Sequence, residues 1–202
     1  MVTVDSFSRA AETFCEVVRG IRPDQWEWHG LGVWNVRSLV GHTTRAMITV
    51  IDYLELDPAE RIDMPTAGDY YGQIYLVYTN PDAIAKRGVE AGEALGDDPL
   101  GRIDALKERA LALLRAQDAS RLVSLGGMGI PLDEYLHTRV FELVVHTLDI
   151  ARATGQQASF APDLIEQTAA LAAGIAARTG RGEQVILALT GREDLPPGFT
   201  VV

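Results

Sequence analysis

The sequence predicts an all-α protein organised as a four-helix bundle with additional helices at its C-terminal end. Two observations support this fold class. Apolar residues recur at helical spacing in most long segments, and strand-like alternation is almost absent. With 202 residues, 47% of them hydrophobic, the chain is long enough for one domain with a substantial core.

The composition excludes several functional classes. A formal net charge of −10 without a compensating basic cluster disfavours nucleic acid as a partner. No apolar run approaches the ~18 residues of a membrane span, and the N-terminus lacks the features of a signal peptide, so we expect a cytoplasmic protein that does not bind membranes. Because Cys15 is the single cysteine, any metal must be held by histidine and carboxylate side chains.

The N-terminal part contains two strongly periodic helices. The first is predicted from about Asp5 to Gly20, and the second from Val36 to about Leu54, with Asn35 as its N-cap. Cys15 lies beside the apolar face of the first helix. We interpret it as a packing residue, because no cationic neighbour is evident that would lower its pKa. His29 lies in the connection between the helices and is expected to be exposed.

The segment from Glu55 to Asn80 has no clear period and is predicted to be a long loop. It carries four tyrosines, which could line a cofactor pocket or equally pack beneath the connection: Tyr70, Tyr71, Tyr75 and Tyr78.

Further helices are predicted beyond this loop. One starts at Asn80-Pro81 and ends near Leu95, and another runs from about Leu100 to Gln117. The Gly-rich segment at 125–129 is expected to be flexible backbone leading into the next helix. The Ala-rich helix Asp163–Thr179 should pack closely on the bundle or on a second subunit of a homodimer. A short helix at Glu183–Thr190 and an extended tail complete the chain, so we expect a bundle over residues 1–155 and a packed extension over 156–202.

A helix from Leu132 to Ala153 is the centre of the predicted fold, since it lacks Gly and Pro and stops at Gly155. Most of its surface is apolar, yet one stripe is polar, and this stripe has two interpretations. It is either a solvated face with ordinary helix pairs such as Arg139–Glu142, or a site in which Glu142 and His146, one turn apart, are metal ligands. The stripe consists of Tyr135, Thr138, Arg139, Glu142, His146 and Asp149.

His42 is the candidate third ligand. It lies on the shoulder of the buried face of the second helix, where a lone histidine is usually a satisfied residue at the edge of the core. Two histidines and one carboxylate on facing helices would instead hold a metal from one side and leave positions open. Such a metal can polarise a substrate or lower the pKa of a bound water or thiol.

Two motifs carry a resemblance to a known family. The segment Trp34-Asn-Val-Arg-Ser-Leu-Val-Gly-His42 resembles a W-x-V-R-x-L-x-x-H segment. The segment Glu142-Leu-Val-Val-His146-Thr-Leu-Asp149 resembles an E-x-x-x-H-x-x-D segment. Both segments occur, in this order, in the actinobacterial mycothiol-dependent maleylpyruvate isomerase family, whose members are DinB-like metal-binding bundles. The resemblance covers roughly residues 5 to 155, and the Arg-rich, Lys-poor composition is consistent with an actinobacterial source.

The resemblance implies a four-helix bundle with a divalent metal, usually zinc, bound by the residues matching His42, Glu142 and His146. It also implies mycothiol as cofactor or co-substrate, and an isomerase or S-transferase acting on a small electrophile. Asp149 could orient a ligand or be solvated, and Arg139 could attract a substrate carboxylate, although pairing with Glu142 is the favoured role. The alternatives are a metal-dependent hydrolase that uses bound water and a non-catalytic bundle that binds metal or a small ligand.

Overall fold

The computed structural model describes residues 3–77 and 80–201, without the side chains of residues 74–77 and 81. Two antiparallel hairpins accompany the helices. The helices are α1 (Val4–Arg19), α2 (Val36–Leu54), α3 (Ala67–Val77), α4 (Pro81–Glu93), α5 (Pro99–Arg115), α6 (Leu132–Thr154), α7 (Pro162–Arg178) and α8 (Gly182–Leu189). The strands are β1 (His29–Leu31), β2 (Trp34–Asn35), β3 (Leu122–Leu125) and β4 (Met128–Pro131), and a short 3-10 helix spans Pro23–Gln25.

Helices α1, α2, α5 and α6 form the bundle, and each buries its apolar face in one continuous core. Phe7, Phe14, Leu39, Met47 and Leu143 lie in that core with essentially no exposed surface. Helix α4 packs along the outer side of α2. None of the helices in the described ranges is long and apolar enough to cross a membrane. The predicted all-α bundle is therefore confirmed, with the two hairpins as additions.

Local signals in the sequence account for the ends of the two central helices. The Asn35 side chain accepts a hydrogen bond from the Ser38 backbone N–H at 2.9 Å, so α2 begins at the predicted residue. Helix α6 ends at Gly155, which adopts a left-handed conformation with φ of 69°. Cys15 is fully buried, and burial raises the pKa of its thiol to about 12, which fits a packing role.

The prediction of a continuous loop from Glu55 to Asn80 was wrong, because residues Ala67–Val77 form α3. Thr66 and Asp69 cap this helix reciprocally: each side chain accepts a hydrogen bond from the backbone N–H of the other, at 3.2 and 3.0 Å. A third cap comes from α6, where the Glu134 carboxylate accepts a hydrogen bond from the Ala67 N–H at 2.8 Å. Contacts distant in sequence thus stabilise a helix that contains two glycines and has weak periodicity.

The Gly-rich segment before α6 is also more ordered than predicted. Strands β3 and β4 pair from Leu122 opposite Pro131 to Leu125 opposite Met128. Gly126 and Gly127 form the two-residue turn with φ of 60° and 89°, a conformation that glycine adopts without steric cost. The connection between α1 and α2 likewise contains a small hairpin, and His29 in β1 is exposed as expected.

The C-terminal helices lie against the bundle residues. Helix α7 contacts α3 and α6 through its buried face, and Leu164 reaches the main core. At its start Asp163 forms a two-bond ion pair with Arg9 of α1, at 2.8 and 2.7 Å. The residues after α8 form turns rather than one extended segment. The division into a bundle over 1–155 and an extension over 156–202 stays a prediction.

Two glycines allow α2 and α4 to approach closely. A Cβ atom placed on Gly41 would lie 2.2 Å from the backbone nitrogen of Gly92, far inside van der Waals contact. A Cβ atom on Gly92 would in turn lie 2.9 Å from the Cα of Ser38. Because the obstructing atoms are backbone, neither helix can accept a side chain at this crossing without moving.

We expect Gly41→Ala to lower the free energy of unfolding by about 2 kcal/mol or more, because overpacking against rigid backbone typically costs about 1–3 kcal/mol. Gly72→Ala in α3 is the matched control, since a Cβ atom there meets nothing within 4 Å. Alanine is favoured over glycine in a helix, so this control should be neutral or stabilising by up to about 1 kcal/mol. Urea denaturation of both variants measures the difference, and equal stabilities would contradict the close-approach explanation.

Candidate metal centre

The helices α2 and α6 bring His42, Glu142 and His146 together. One ligand atom from each residue lies within 4.8 Å of the other two, and all three residues are partly buried. Two of these atoms converge because Glu142 and His146 are one helical turn apart, and the third comes from the neighbouring helix. The residues predicted as a ligand set from their spacing thus share one location in the fold.

His42 lies between Trp34 and His146. Its ring centroid is 4.4 Å from that of Trp34 and 5.0 Å from that of His146. The Trp34 indole N–H donates a hydrogen bond to the Ala85 carbonyl oxygen at 2.9 Å, which fixes this ring. Burial lowers the pKa of His42 to about 3, and the neighbouring His146 adds to the shift. His42 is therefore a neutral imidazole at physiological pH.

The Nδ1 atom of His42 is buried and has no hydrogen-bond partner among the described residues. A buried polar atom without a partner is costly and rare in native structures. A bound group that interacts with this nitrogen would remove that cost. This unpartnered nitrogen distinguishes His42 from the satisfied core histidine of the simpler interpretation.

His146 lies between two carboxylates. Its Nε2 is 3.3 Å from Glu142 Oε2, and its Nδ1 is 3.3 Å from Asp149 Oδ2. Burial alone would lower the pKa of His146, but the hydrogen bonds with Asp149 and Glu142 outweigh it and raise this pKa. Asp149 therefore contacts the second ring nitrogen of a candidate ligand, the arrangement that fixes the orientation of histidines in metal sites.

Glu142 is ionised in this environment. Burial raises the pKa of its carboxyl group, yet the hydrogen bond and charge of His146, the charge of Arg139 and a hydrogen bond from Tyr71 outweigh burial and lower the pKa to about 2. The Tyr71 hydroxyl donates to Glu142 Oε1 at 2.7 Å. An ionised, oriented carboxylate is the form that binds a metal cation.

The predicted pairing of Arg139 with Glu142 was wrong, because no ion pair joins them in the described part of the chain. Arg139 is 7% exposed and donates hydrogen bonds to Tyr70 and Thr138 hydroxyl oxygens at 2.9 and 3.0 Å. Its guanidinium also lies over the rings of Tyr70 and Tyr135, at 5.4 and 5.2 Å from their centroids. Glu142 instead directs its two oxygens toward Tyr71 and His146.

A pocket of about 480 Å³ opens beside the three candidate ligands, and His42 and Glu142 form part of its wall. Its remaining wall combines apolar side chains with positive charge. Three arginines line it, and they come from α2, α4 and α6: Arg45, Arg87 and Arg139. The apolar wall includes Met64, Met128, Tyr70 and Tyr71. This volume lies in the usual range for small-ligand sites.

The structure tests only part of the predicted tyrosine set. Tyr70 and Tyr71 line the pocket, whereas Tyr78 and the side chain of Tyr75 lie outside the described residues. Arg45 was missed by the sequence reasoning although it follows His42 by one helical turn, so helical spacing could have identified it. Trp34 was noted as part of a motif, but its stacking on His42 depends on β2 and could not be read from spacing.

A model of the mycothiol maleylpyruvate isomerase N-terminal domain matches residues 7–151. The chain belongs to this family. The mycothiol maleylpyruvate isomerase N-terminal domain is a DinB-like helical fold, so the predicted family and fold are both confirmed. No curated protein and no solved structure gives a significant match to the chain.

The three residues of this family member could hold a metal ion, and their chemistry fits one. Two imidazoles and one carboxylate are the ligand types of catalytic zinc sites. His42 is neutral, Glu142 is ionised, and the orphaned Nδ1 of His42 gives the site a buried polar atom in need of a partner. Two of the three residues also contact a pocket large enough for small molecules.

Proposed function

We propose that the protein is a divalent-metal-dependent enzyme that uses a low-molecular-weight thiol, with zinc as metal and mycothiol as co-substrate. The reaction is an isomerisation or S-transfer on a small electrophile. The observation that carries the proposal is the set His42, Glu142 and His146, whose ligand atoms converge beside a pocket of about 480 Å³. Membership of a family named for a mycothiol-dependent isomerase supports the choice of thiol.

A divalent metal held by these residues would supply the chemistry of thiol activation, because free thiols have pKa values around 8.5 and coordination deprotonates them. The chain contributes three protein ligands, which leaves positions open for an exogenous group. Asp149 holds His146 in one orientation through Nδ1. Tyr70, which is half-buried, and Tyr71, which is buried, form part of the wall of the adjoining pocket.

The pocket also supports a preference among electrophiles. Arg45, Arg87 and Arg139 line the cavity, and Glu142 is the carboxylate residue among its lining residues. Guanidinium groups bind carboxylates through charge-assisted hydrogen bonds, often two at once, so arginines in the wall of a pocket favour an anionic ligand. We therefore favour an electrophile that carries a carboxylate over a neutral one.

The test is a thiol titration of the cobalt-substituted protein. We expect mycothiol to add a sulfur-to-cobalt charge-transfer band, because a thiolate then enters the open position. Glu142→Ala should abolish this band. Asp52→Ala, which removes an exposed carboxylate on α2, is the matched control and should keep it. Turnover of neutral and carboxylate-bearing electrophiles in the same preparation measures the substrate preference.

An unchanged spectrum at saturating thiol would contradict the thiol mechanism. Ester or amide hydrolysis by the metal-loaded protein would then favour a hydrolase that uses bound water. Metal binding without turnover of either class would favour a carrier or sensor. Each result thus separates the proposed enzyme from the alternatives that the ligand set also allows.

A further inference from the structure

We propose that Tyr71 is a positioning residue, which makes Glu142 a one-oxygen ligand; this inference rests on the proposed metal site. Tyr71 belongs to α3, whereas the candidate ligands belong to α2 and α6. Among the described side chains of α3, that of Tyr71 contacts a candidate ligand, with its hydroxyl 2.7 Å from Glu142 Oε1.

The direction of this hydrogen bond is fixed by chemistry. A tyrosine hydroxyl has an ordinary pKa of about 10 and so keeps its proton near neutral pH, and Tyr71 is buried at 3% exposure. That single proton has two acceptors in reach, Glu142 Oε1 at 2.7 Å and the Thr138 carbonyl oxygen at 3.3 Å. The shorter bond to an ionised oxygen is the stronger, so the proton is directed to Glu142.

The two oxygens of Glu142 therefore have different partners. Oε1 accepts from Tyr71, whereas Oε2 lies 3.3 Å from Nε2 of His146. A carboxylate with one oxygen held in this way offers the other oxygen to a metal. Binding through both oxygens would fill one of the positions that an exogenous thiol needs. The hydroxyl of Tyr71 thus determines how many positions stay open.

The surroundings of Tyr71 hold its hydroxyl in place. Its ring packs edge-on against Tyr70 and Phe141, with centroid separations of 5.1 and 5.3 Å. The helix that carries it is capped from α6 through the Glu134 carboxylate. A residue can position Glu142 only if its own orientation is restricted. The two ring contacts restrict the Tyr71 side chain, and the cap restricts the helix that carries it.

Tyr70 provides a matched comparison. It adjoins Tyr71 and also lines the pocket, but its hydroxyl accepts a hydrogen bond from Arg139 at 2.9 Å and contacts none of the three candidate ligands in the described structure. Removal of either hydroxyl leaves an aromatic ring of nearly the same volume. Tyr71→Phe loses the hydrogen bond to Glu142, whereas Tyr70→Phe loses the hydrogen bond from Arg139 and keeps the one to Glu142.

The experiment measures zinc and cobalt affinity by competition with a chromophoric chelator, without thiol or substrate. We expect Tyr71→Phe to weaken the metal affinity by about 10–100-fold, which is the usual loss when a side chain hydrogen-bonded to a metal ligand is removed. We expect Tyr70→Phe to stay within about threefold of the wild type. The visible absorption of the Tyr71→Phe cobalt form should also weaken, since binding through both oxygens raises the coordination number.

The outcomes separate this inference from the proposed function. If the wild type binds cobalt and Tyr71→Phe matches it in affinity and spectrum, the positioning role is overturned while the metal site stands. Equal losses in the Tyr70 and Tyr71 variants would also overturn it, because they would indicate a general effect on the pocket. If the wild type binds no cobalt, the metal site itself fails first. Circular dichroism and thermal denaturation confirm that each variant is folded.

Discussion

Replacing His42 with alanine is expected to abolish stoichiometric metal binding, with an affinity loss greater than about 100-fold. This loss should exceed the loss of about 10–100-fold that follows removal of a side chain hydrogen-bonded to a metal ligand, because here a candidate ligand itself is removed. Among the described residues, His42 is the member of the candidate set that lies outside α6, so Glu142 and His146 alone would form an incomplete set. Metal analysis of the purified variant and chelator competition measure the effect.

The His42 variant should nevertheless fold. His42 is neutral, because burial lowers its pKa to about 3, so its removal leaves no uncompensated charge. His137→Ala is the control: His137 lies on α6, the helix of Glu142 and His146, but its hydrogen-bond contact is with the Gln167 carbonyl oxygen, at 3.4 Å. Retained metal in the His42 variant, or loss of metal in the control, would refute the ligand assignment.

Metal is also expected to stabilise the folded protein by about 4 kcal/mol when its free concentration is about 1,000 times the dissociation constant. Folding brings His42 to Glu142 and His146, which lie about 100 residues further along the chain, so metal binding favours the folded state. Urea denaturation with increasing zinc measures the gain, and addition of a chelator should reverse it.

The stabilisation must be specific to the site. The His42→Ala and Glu142→Ala variants should show little of the gain, whereas Asp52→Ala should show all of it. A zinc-dependent gain of equal size in the Glu142 variant would indicate binding elsewhere, for example by the exposed His29. No gain in the wild type would mean that the three residues are a polar cluster without a metal.

Much of the fold could be predicted because its helices carry their own signals. Asn35 caps α2 locally, and Gly155 ends α6 with the left-handed conformation that glycine favours. The convergence of Glu142 and His146 follows from helix geometry alone. These features depend on residues within one or two turns of each other, and sequence patterns describe such relations well.

The features that sequence reasoning missed depend on contacts between distant segments. Helix α3 is capped partly by Glu134 of α6, so its own sequence understates its stability. The cap formed by Thr66 and Asp69 was a readable signal that was overlooked.

The predicted pairing of Arg139 with Glu142 failed for a different reason. The i,i+3 pairing rule holds for side chains on an exposed helix surface, whereas Arg139 is buried. The orientation of the Glu142 carboxylate is instead set by Tyr71 of α3 and by His146, one turn further along α6.

The contact between Gly41 and Gly92 gives a means to redesign the pocket. His42 follows Gly41 directly and Arg45 follows within a turn, and both line the same pocket as Ile84 and Arg87 of α4. The distance between α2 and α4 therefore affects the width of this pocket. A larger residue at the crossing would act as a spacer and widen the cavity, at a cost in stability. Stabilising substitutions elsewhere, such as alanine at Gly72, could offset that cost. Variants with an altered pocket volume could thus be sought at a position that does not itself line the pocket.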